Sequence, residues 1–243
     1  IGARTCQAYR GELLTDVARR AVDIRDRLSV DALFRSFQPE VVYCLAGTST
    51  VKDAQSDILA ASQSMVTGVI NVLEAVCAYG LAKRFVFVSS SMVYGNFTLD
   101  PVPEASPTLP SSAYGQFKLA AECLVRAYLS STTTQSVIVR PSAVYGVGDS
   151  HSRIVPNICH AAAQGDRIAI RNPETTRADF TAVDDVAQGL DLAGSMPLAA
   201  GQTFNISRGR GRTLMELMVM ARAMVPTIDV TIETVDDTAT PIR

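Results

Sequence analysis

The amino-acid sequence predicts an α/β fold, in which a parallel sheet carries helices on both of its faces. Three features predict it. Short apolar runs alternate along the chain with longer segments of helical periodicity, the apolar runs lack the polar alternation of a half-exposed sheet, and several of them end in glycine, serine or proline. Strands that alternate with helices form parallel sheets, whose strands are buried on both faces.

Continuous apolar runs mark the strands. The first run ends at Gly47, the second leads into three serines, and the third is stopped by Pro141, which cannot continue a strand ladder. The predicted strands lie, in chain order, within 39–47, 84–91, 135–141, 202–207 and 228–235.

Periodic apolar positions, glycines and capping residues mark the helices. Gly80 and Gly165 each follow a periodic segment and suit the left-handed position after a helix. Pro156 suits the first turn of the helix that Gly165 ends, and Asp184 or Asp185 is the expected N-cap of the next helix. The predicted helices lie within 65–80, 113–129, 153–165, 184–194 and 213–225.

Composition and charge exclude several classes of protein. A net charge of −2 provides no basic field for nucleic acid, and no apolar run reaches the roughly 18 residues of a membrane span. The five cysteines are scattered without a C-x-x-C pair, which indicates reduced thiols and a cytoplasmic location. With two histidines and dispersed carboxylates, the sequence predicts no metal centre.

The helix within 113–129 places Tyr114 and Lys118 one turn apart on one face. A neighbouring ammonium group favours ionisation of a phenol, and such a phenol can exchange a proton with a substrate hydroxyl. Ser90 lies at the end of a predicted strand, where parallel sheets bind their ligands. Together the three side chains predict oxidation of an alcohol with hydride transfer to a nicotinamide. A tyrosine at a helix start beside a solvated lysine is the alternative.

Eight segments, in their order and approximate spacing, resemble the extended short-chain dehydrogenase/reductases, in particular their NAD-dependent nucleotide-sugar epimerase/dehydratase family. The segments are VDIRD, VVYCLAG, GVINVLEA, FVFVSSSMVYG, YGQFK, VIVRPSAVYG, RADFTAVDDVA and FNIS. The resemblance implies a Rossmann-type, doubly wound parallel sheet with a small C-terminal substrate-binding lobe. The implied dinucleotide-binding domain comprises residues 1–148 with 178–207, and the lobe comprises 149–177 with 208–243.

The resemblance also implies the roles of particular residues. Ser90, Tyr114 and Lys118 form the catalytic set, and NAD is the cofactor, with NADP as the alternative. The implied cofactor-binding residues are Asp23, Ile24, Leu45, Ala46, Gly47, Thr48, Tyr114, Lys118 and Ser142. The implied substrate-binding residues, for a nucleoside-diphosphate sugar, are Ser91, Met92, Ala143 and Arg177. Alternatively, Asp23 is a turn residue at the end of a strand, and Arg177 is a solvated residue of a loop.

Two departures from the family pattern bear on cofactor binding and on the reaction. The G-x-x-G-x-x-G loop that binds the pyrophosphate is absent, so we expect a strand–loop–helix segment to precede Ile1 in the full protein. The family's dehydratases carry an Asp-Glu pair where this chain has Ser91 and Met92, which disfavours dehydration. The resemblance and these two positions therefore predict a nucleotide-sugar epimerase that transiently oxidises C4 and reduces it again.

Two other classes stay open. A reductase of 4-keto sugars uses the same three side chains with external NAD(P)H, and a non-catalytic member of the family senses dinucleotides. The family resemblance also implies a homodimer with a four-helix interface, built here from residues 65–79 and 114–129 of each chain. The dimer is inferred from apolar or small positions on the second of these helices. Alternatively, these positions pack against the chain's own sheet. These positions are Ala121, Leu124, Val125 and Tyr128.

Overall fold

A computed structural model of the chain describes residues 22–97, 99–149 and 153–233. Its strands are β1 (Val41–Cys44), β2 (Arg84–Val88), β3 (Gln135–Pro141), β4 (Ala143–Tyr145), β5 (Arg167–Arg171), β6 (Arg177–Ala178), β7 (Phe180–Ala182), β8 (Thr203–Ile206), β9 (Arg212–Thr213) and β10 (Asp229–Glu233). Its helices are α1 (Arg27–Phe37), α2 (Val51–Ser56), α3 (Ile58–Ser62), α4 (Gly68–Tyr79), α5 (Ala113–Leu129), α6 (Ile154–Gln164), α7 (Val183–Ser195) and α8 (Leu214–Met224).

The centre of the fold is a parallel sheet with the strand order β1-β2-β3-β8. On one face, α1, α4 and α5 pack around Phe85 and Phe87 of β2. On the other face, α7 packs against Val86 of the same strand. Because successive strand residues point to opposite faces, one apolar run fills both layers. The predicted parallel α/β fold is confirmed, whereas the strand–loop–helix segment expected before Ile1 stays a prediction.

The helix before Gly80 is longer than its apolar pattern predicts. It begins at Ile58 and continues through a π-helical turn, Gln63–Thr67, into α4. Asp57 starts it, because its Oδ1 accepts a hydrogen bond of 2.9 Å from the backbone N–H of Ala60. With 22 residues and a mean hydropathy of 1.3, this helix could cross a membrane by length and composition alone. A core helix has the same properties, and the inward face of this one packs in the core.

The predicted N-cap of α7 is wrong. The helix begins at Val183, and Ala182 takes the N-cap position with extended backbone angles and no side-chain cap. Asp184 and Asp185 lie instead within the first turn, exposed to solvent. Carboxylates in the first turn interact favourably with the positive end of the helix dipole, which explains why acidic residues cluster there without capping.

Two of the four residues of α5 that were expected to point outward into a dimer interface do not do so. Ala121 and Val125 are both 0% exposed and belong to the core between α5 and the chain's own sheet. Leu124 and Tyr128 are half-buried against the same core. The helix therefore uses a wider face for its own packing than a single apolar stripe requires.

A separate apolar cluster forms beside the sheet from α6, α8 and the strand pair β5 and β10. Its buried members include Ile158, Ile170 and Met218. The cluster lies in the region where the lobe is expected, and the domain boundaries themselves stay a prediction. The cysteines that the structure describes are free thiols, and Cys6 lies outside the described residues.

Candidate active site

A cavity of about 640 Å³ opens at the carboxyl ends of the central strands. Ser90 follows β2 and Ser142 follows β3, and both line this cavity together with Tyr114 from the start of α5. All four predicted substrate-binding residues line it as well: Ser91, Met92, Ala143 and Arg177. The structure thus brings together residues that lie up to 87 positions apart in the sequence (90 to 177), as expected for the ligand-binding edge of a parallel sheet.

Ser90 begins a short 3₁₀ helix, Ser91–Tyr94, that turns the chain away from the sheet. Its Oγ accepts a hydrogen bond of 3.2 Å from the backbone N–H of Met92, so the hydroxyl is held at a defined position. The side chain is 9% exposed, at the wall of the cavity. Within the described residues the hydroxyl proton has no acceptor, so it is available to an oxygen atom of a ligand.

Lys118 is buried beneath Tyr114, one helical turn along α5. Its side chain is 6% exposed, and its Nζ donates a hydrogen bond of 2.7 Å to the backbone oxygen of Val88 at the end of β2. The ammonium lies 5.9 Å from the ring centre of Tyr114 and 5.2 Å from that of Phe87. A buried cation next to two aromatic rings is stabilised by their π electrons and is held close to the phenol. The spacing that the sequence predicted is therefore realised in three dimensions.

Gly115 is a site residue that the sequence analysis missed. A Cβ atom at this position would lie 2.6 Å from the backbone oxygen of Met92 and 2.9 Å from Cβ of Pro110. Both distances are shorter than carbon contacts in proteins allow, so only glycine lets α5 approach the segment after Ser90 so closely. Ser112 caps the helix at the same point, because its Oγ accepts the Gly115 N–H at 3.2 Å.

Three of the residues predicted to bind the dinucleotide, Ile24, Gly47 and Thr48, lie along one helix. Leu45, also predicted, packs instead against the cluster on the other face of the sheet. Gly47, which follows β1, has φ of +133°, and a Cβ atom there would lie 3.2 Å from Cγ of Met65. Gly68 faces the side chain of Ile24, which a Cβ atom would meet at 2.6 Å. Met65 and Gly68 are neighbours on one helix face. The end of β1, which contacts Met65, and the segment around Asp23, which contacts Gly68, therefore lie side by side. Thr48 bonds to the same helix, with 3.1 Å between its Oγ1 and the Ser64 Oγ.

Asp23 presents an ionised carboxylate at the surface. Arg25 binds it through three side-chain hydrogen bonds and one backbone hydrogen bond of 2.6–3.0 Å, and these bonds lower the pKa of Asp23 to about 2. The amide group of Asn71 holds the segment on α4 by donating to the backbone oxygens of Ile24 and Arg25, at 2.9 and 3.1 Å. A fixed carboxylate, the small residues after β1 and the ammonium of Lys118 suit the ribose hydroxyls of a dinucleotide.

Replacing Asp23 with asparagine is expected to weaken NAD binding about fivefold. A ribose hydroxyl donates a stronger hydrogen bond to a carboxylate than to a neutral amide. Because the pKa of Asp23 is about 2, the carboxylate stays ionised above pH 4, and the difference is expected to be constant from pH 5 to 8. Fluorescence titration of the full chain measures the dissociation constant. Asp31→Asn, which removes a carboxylate bound to Arg35 instead, is the control, and an equal loss in both variants would contradict the role of Asp23.

Arg177 lies between this cavity and a second one of about 480 Å³. Its Nη2 donates a hydrogen bond of 3.1 Å to the backbone oxygen of Gly211 and lies 3.5 Å from a carboxylate oxygen of Asp100. The side chain is 42% exposed, so it can contact a ligand in either cavity. Asp179, which the sequence analysis missed, accepts three backbone N–H groups of the loop 208–210 and so shapes the far wall.

A buried ion pair between Glu122 and Arg140 is the second feature that sequence reasoning missed. The two side chains are 2% and 5% exposed. Two features of the sequence indicate the pair. Arg140 is a charged residue inside an apolar strand, and Glu122 lies four positions after Lys118, on the inward side of α5. Charged residues are almost never fully buried unless they are paired, so either one alone predicts a partner.

The structure gives no candidate for a metal centre among residues 22–97, 99–149 and 153–233, where no three His, Cys, Asp or Glu side chains come together. The cavity is lined by hydroxyl, phenol, ammonium and guanidinium groups and by the carboxylates of Asp53 and Asp149.

Comparison with known proteins places the chain in a family. The model of the NAD-dependent epimerase/dehydratase family matches residues 2–207. A dTDP-glucose 4,6-dehydratase of Neisseria gonorrhoeae is 29% identical over 228 residues, which is 86% of this chain and 66% of that protein. A UDP-glucose 4-epimerase of Halalkalibacterium halodurans is 27% identical over 227 residues, 86% of this chain and 68% of that protein.

Solved structures show the same fold. The UDP-glucose 4-epimerase of Thermus thermophilus in complex with NAD superposes with a TM-score of 0.80 at 25% identity, over 88% of this chain and 71% of that one. The chain thus spans about two thirds of the length of the relatives that it matches. These relatives include both epimerases and dehydratases, so they leave the choice between the two reactions to the residues of the site.

Proposed function

Because the chain belongs to the NAD-dependent epimerase/dehydratase family, we propose that it interconverts two C4 epimers of a nucleoside-diphosphate sugar. The observation that carries the proposal is the composition of the cavity wall after Ser90. Ser90, Tyr114 and Lys118 supply the groups for reversible oxidation of an alcohol, whereas Ser91 and Met92 supply no acid or base for a further step.

Ser90, Tyr114 and Lys118 have different roles in the proton transfer. Ser90 donates its free hydroxyl proton to the 4-oxygen of the sugar and holds it next to Tyr114. The phenol oxygen of Tyr114 accepts the proton of the 4-hydroxyl as C4 is oxidised, and the ammonium of Lys118 stabilises the charge of the phenolate. Bound NAD would supply the hydride acceptor for the oxidation of C4 and the hydride donor for its reduction. The Lys118 bond to Val88 leaves further N–H groups of the ammonium for the nicotinamide ribose.

Inversion at C4 requires the ketone to present its other face before the hydride returns. The cavity of about 640 Å³ has the size of a small-molecule site. Arg177 lines this cavity and suits the diphosphate, since a guanidinium binds phosphate oxygens in pairs. Holding the diphosphate there keeps the nucleotide in place while the sugar turns.

A 4,6-dehydratase is the second candidate, and the identity of 29% to a dTDP-glucose 4,6-dehydratase favours it. Elimination of water across C5 and C6 needs a base for the C5 proton and an acid for the leaving hydroxyl. A serine hydroxyl is too weak a base for the first step, and a thioether has no proton for the second. The side chains of Ser91 and Met92 therefore favour the epimerase.

The products separate the two reactions. We expect the full protein, incubated with NAD and a panel of nucleotide sugars, to interconvert one pair of C4 epimers, detected by chromatography of the released sugars. It should not accumulate a 4-keto-6-deoxy sugar, which absorbs in alkali. The Tyr114→Phe variant serves as the blank, because it lacks the acid/base group for either reaction. A keto sugar that forms as fast as the epimer would overturn the proposal.

A further inference from the structure

The buried side chains of Glu122 and Arg140 are joined by two hydrogen bonds in addition to the attraction of their charges. Nε of Arg140 donates to Oε1 of Glu122 at 2.9 Å, and Nη2 donates to Oε2 at 2.6 Å. Burial would lower the pKa of Arg140, but its hydrogen bonds with Glu122 and Tyr94 raise it above the ordinary value, so the guanidinium stays charged. Buried ion pairs are often no more stabilising than apolar residues of the same volume, so stability alone does not account for this one.

On one side the pair holds the residues that flank the catalytic hydroxyl. Oε1 of Glu122 accepts a hydrogen bond from the hydroxyl of Ser89, the residue before Ser90. Glu122 also lies one helical turn after Lys118, on the helix that carries Tyr114. The carboxylate therefore ties the end of β2 to α5 directly below the reacting groups.

Tyr94 extends the connection to the far end of the 3₁₀ helix that Ser90 begins. Its hydroxyl accepts a hydrogen bond of 2.8 Å from Nη1 of Arg140 and donates one of 2.8 Å to Oδ1 of Asn205, which lies in β8. The guanidinium also lies 4.9 Å from the centre of the tyrosine ring. The segment that contains Ser90 is thus anchored at both of its ends to one guanidinium and its partners.

On the other side the same groups hold the proline-rich loop 99–110. Arg140 donates from Nη1 to the backbone oxygen of Glu104 at 3.1 Å. Asn205 donates from its side-chain amide to the backbone oxygen of Val102 at 2.8 Å, and its own backbone N–H donates to Oε1 of Glu104 at 2.9 Å. This loop lines the second cavity, which meets the reaction cavity at Ser91.

We propose that Glu122, Arg140 and Tyr94 are positioning residues that couple the proline-rich loop to the catalytic hydroxyl. When the loop rests on Arg140 and Asn205, Tyr94 and Ser89 are held, and Ser90 points at the substrate oxygen. When the loop leaves, the hydroxyl of Tyr94 loses its alignment and Ser90 loses its anchor. The inference rests on the proposed function for its catalytic part, whereas the coupling between loop and serine segment is a property of the chain alone.

The Tyr94→Phe variant tests the coupling with the smallest change. It removes one hydroxyl that joins Arg140 to Asn205 and keeps the ring. We expect hydrogen exchange of the backbone amides in 99–109 and in 90–95 to accelerate about tenfold, in line with loss of the two hydrogen bonds that this hydroxyl makes. We expect kcat to fall about tenfold, while the Kd of a nucleoside diphosphate, which does not reach Ser90, changes less than twofold.

The matched control is Tyr79→Phe. This substitution also removes a bridging hydroxyl, which donates to Asp31 at 2.9 Å and accepts from Arg35. Tyr79, however, lies at the end of α4, away from the cavity. We expect it to lower Tm by an amount similar to that of Tyr94→Phe and to leave kcat and the exchange in 90–95 and 99–109 unchanged. If both variants change exchange and kcat alike, Tyr94 acts only through stability and the coupling is wrong.

A double variant tests the role of the charge pair separately from its effect on stability. Replacing Glu122 with leucine and Arg140 with methionine together substitutes apolar side chains of similar volume, so Tm should stay within a few degrees of the wild type. We expect the loop exchange to rise as in Tyr94→Phe and kcat to fall about a hundredfold. Wild-type exchange in both segments would overturn the coupling. Absence of turnover in the wild type with every nucleotide sugar would instead refute the proposed function, and the exchange would still decide the coupling.

Discussion

Replacing Tyr114 with phenylalanine is expected to lower kcat by about 10²–10⁴-fold, the usual contribution of a positioned acid/base group. The phenol oxygen of Tyr114 lies at the cavity and is proposed to accept the proton of the sugar hydroxyl, and the buried ammonium of Lys118 stands next to it to stabilise the phenolate. The ring itself packs against Ala54, Ala61 and Met65, and phenylalanine keeps these contacts. We therefore expect Tm to change by less than about 2 °C.

The control for this experiment is Tyr128→Phe on the same helix. Tyr128 lies 14 residues further along α5 (128 minus 114), and its hydroxyl bonds to Glu74, away from the cavity. Loss of that hydroxyl should leave kcat unchanged, which isolates the effect of position from the effect of the substitution type. Turnover of Tyr114→Phe near the wild-type rate with a nucleotide sugar would refute the assignment of the acid/base group.

Local patterns predicted the elements that carry the reacting groups. The helix Ala113–Leu129 begins and ends where periodicity placed it, and Gly80 and Gly165 adopt the left-handed conformation after their helices. These features depend on residues within a few positions of one another, so a sequence contains them directly. The convergence of Ser90 and Tyr114 followed from the rule that parallel strands present their carboxyl ends to one edge.

Contacts between distant segments could not be derived in this way. Arg140 and Glu122 are 18 residues apart, and Asn205 and Tyr94 are 111 apart. Burial of a charged side chain requires a partner, yet the sequence offers many carboxylates and does not say which one the fold brings near. The start of α7 at Val183 was missed for a related reason, because an aspartate in the first turn and one at the N-cap give the same local signal.

The substitution of Gly115 by alanine is expected to misplace the acid/base group. The added Cβ would lie 2.6 Å from the backbone oxygen of Met92, so α5 and the segment after Ser90 must move apart by several tenths of an ångström. The backbone of Met92 cannot rotate aside as a side chain would, because its N–H bonds to Ser90. Overpacking of this kind costs about 1–3 kcal/mol, partly offset by the better helix propensity of alanine, and should lower Tm by about 4–8 °C.

The catalytic effect of the same substitution should exceed its effect on stability. A displacement of up to 1 Å between reacting groups can lower the rate by about 10²-fold, so we expect kcat of Gly115→Ala to fall by about that factor. Gly189→Ala is the matched control, since that helical glycine meets only the flexible end of Ile206 and lies in α7. Its kcat should stay within twofold of the wild type. Should Gly115→Ala keep wild-type kcat while losing stability, the close approach of α5 to Met92 would serve folding alone and would not set the distance between Tyr114 and Ser90.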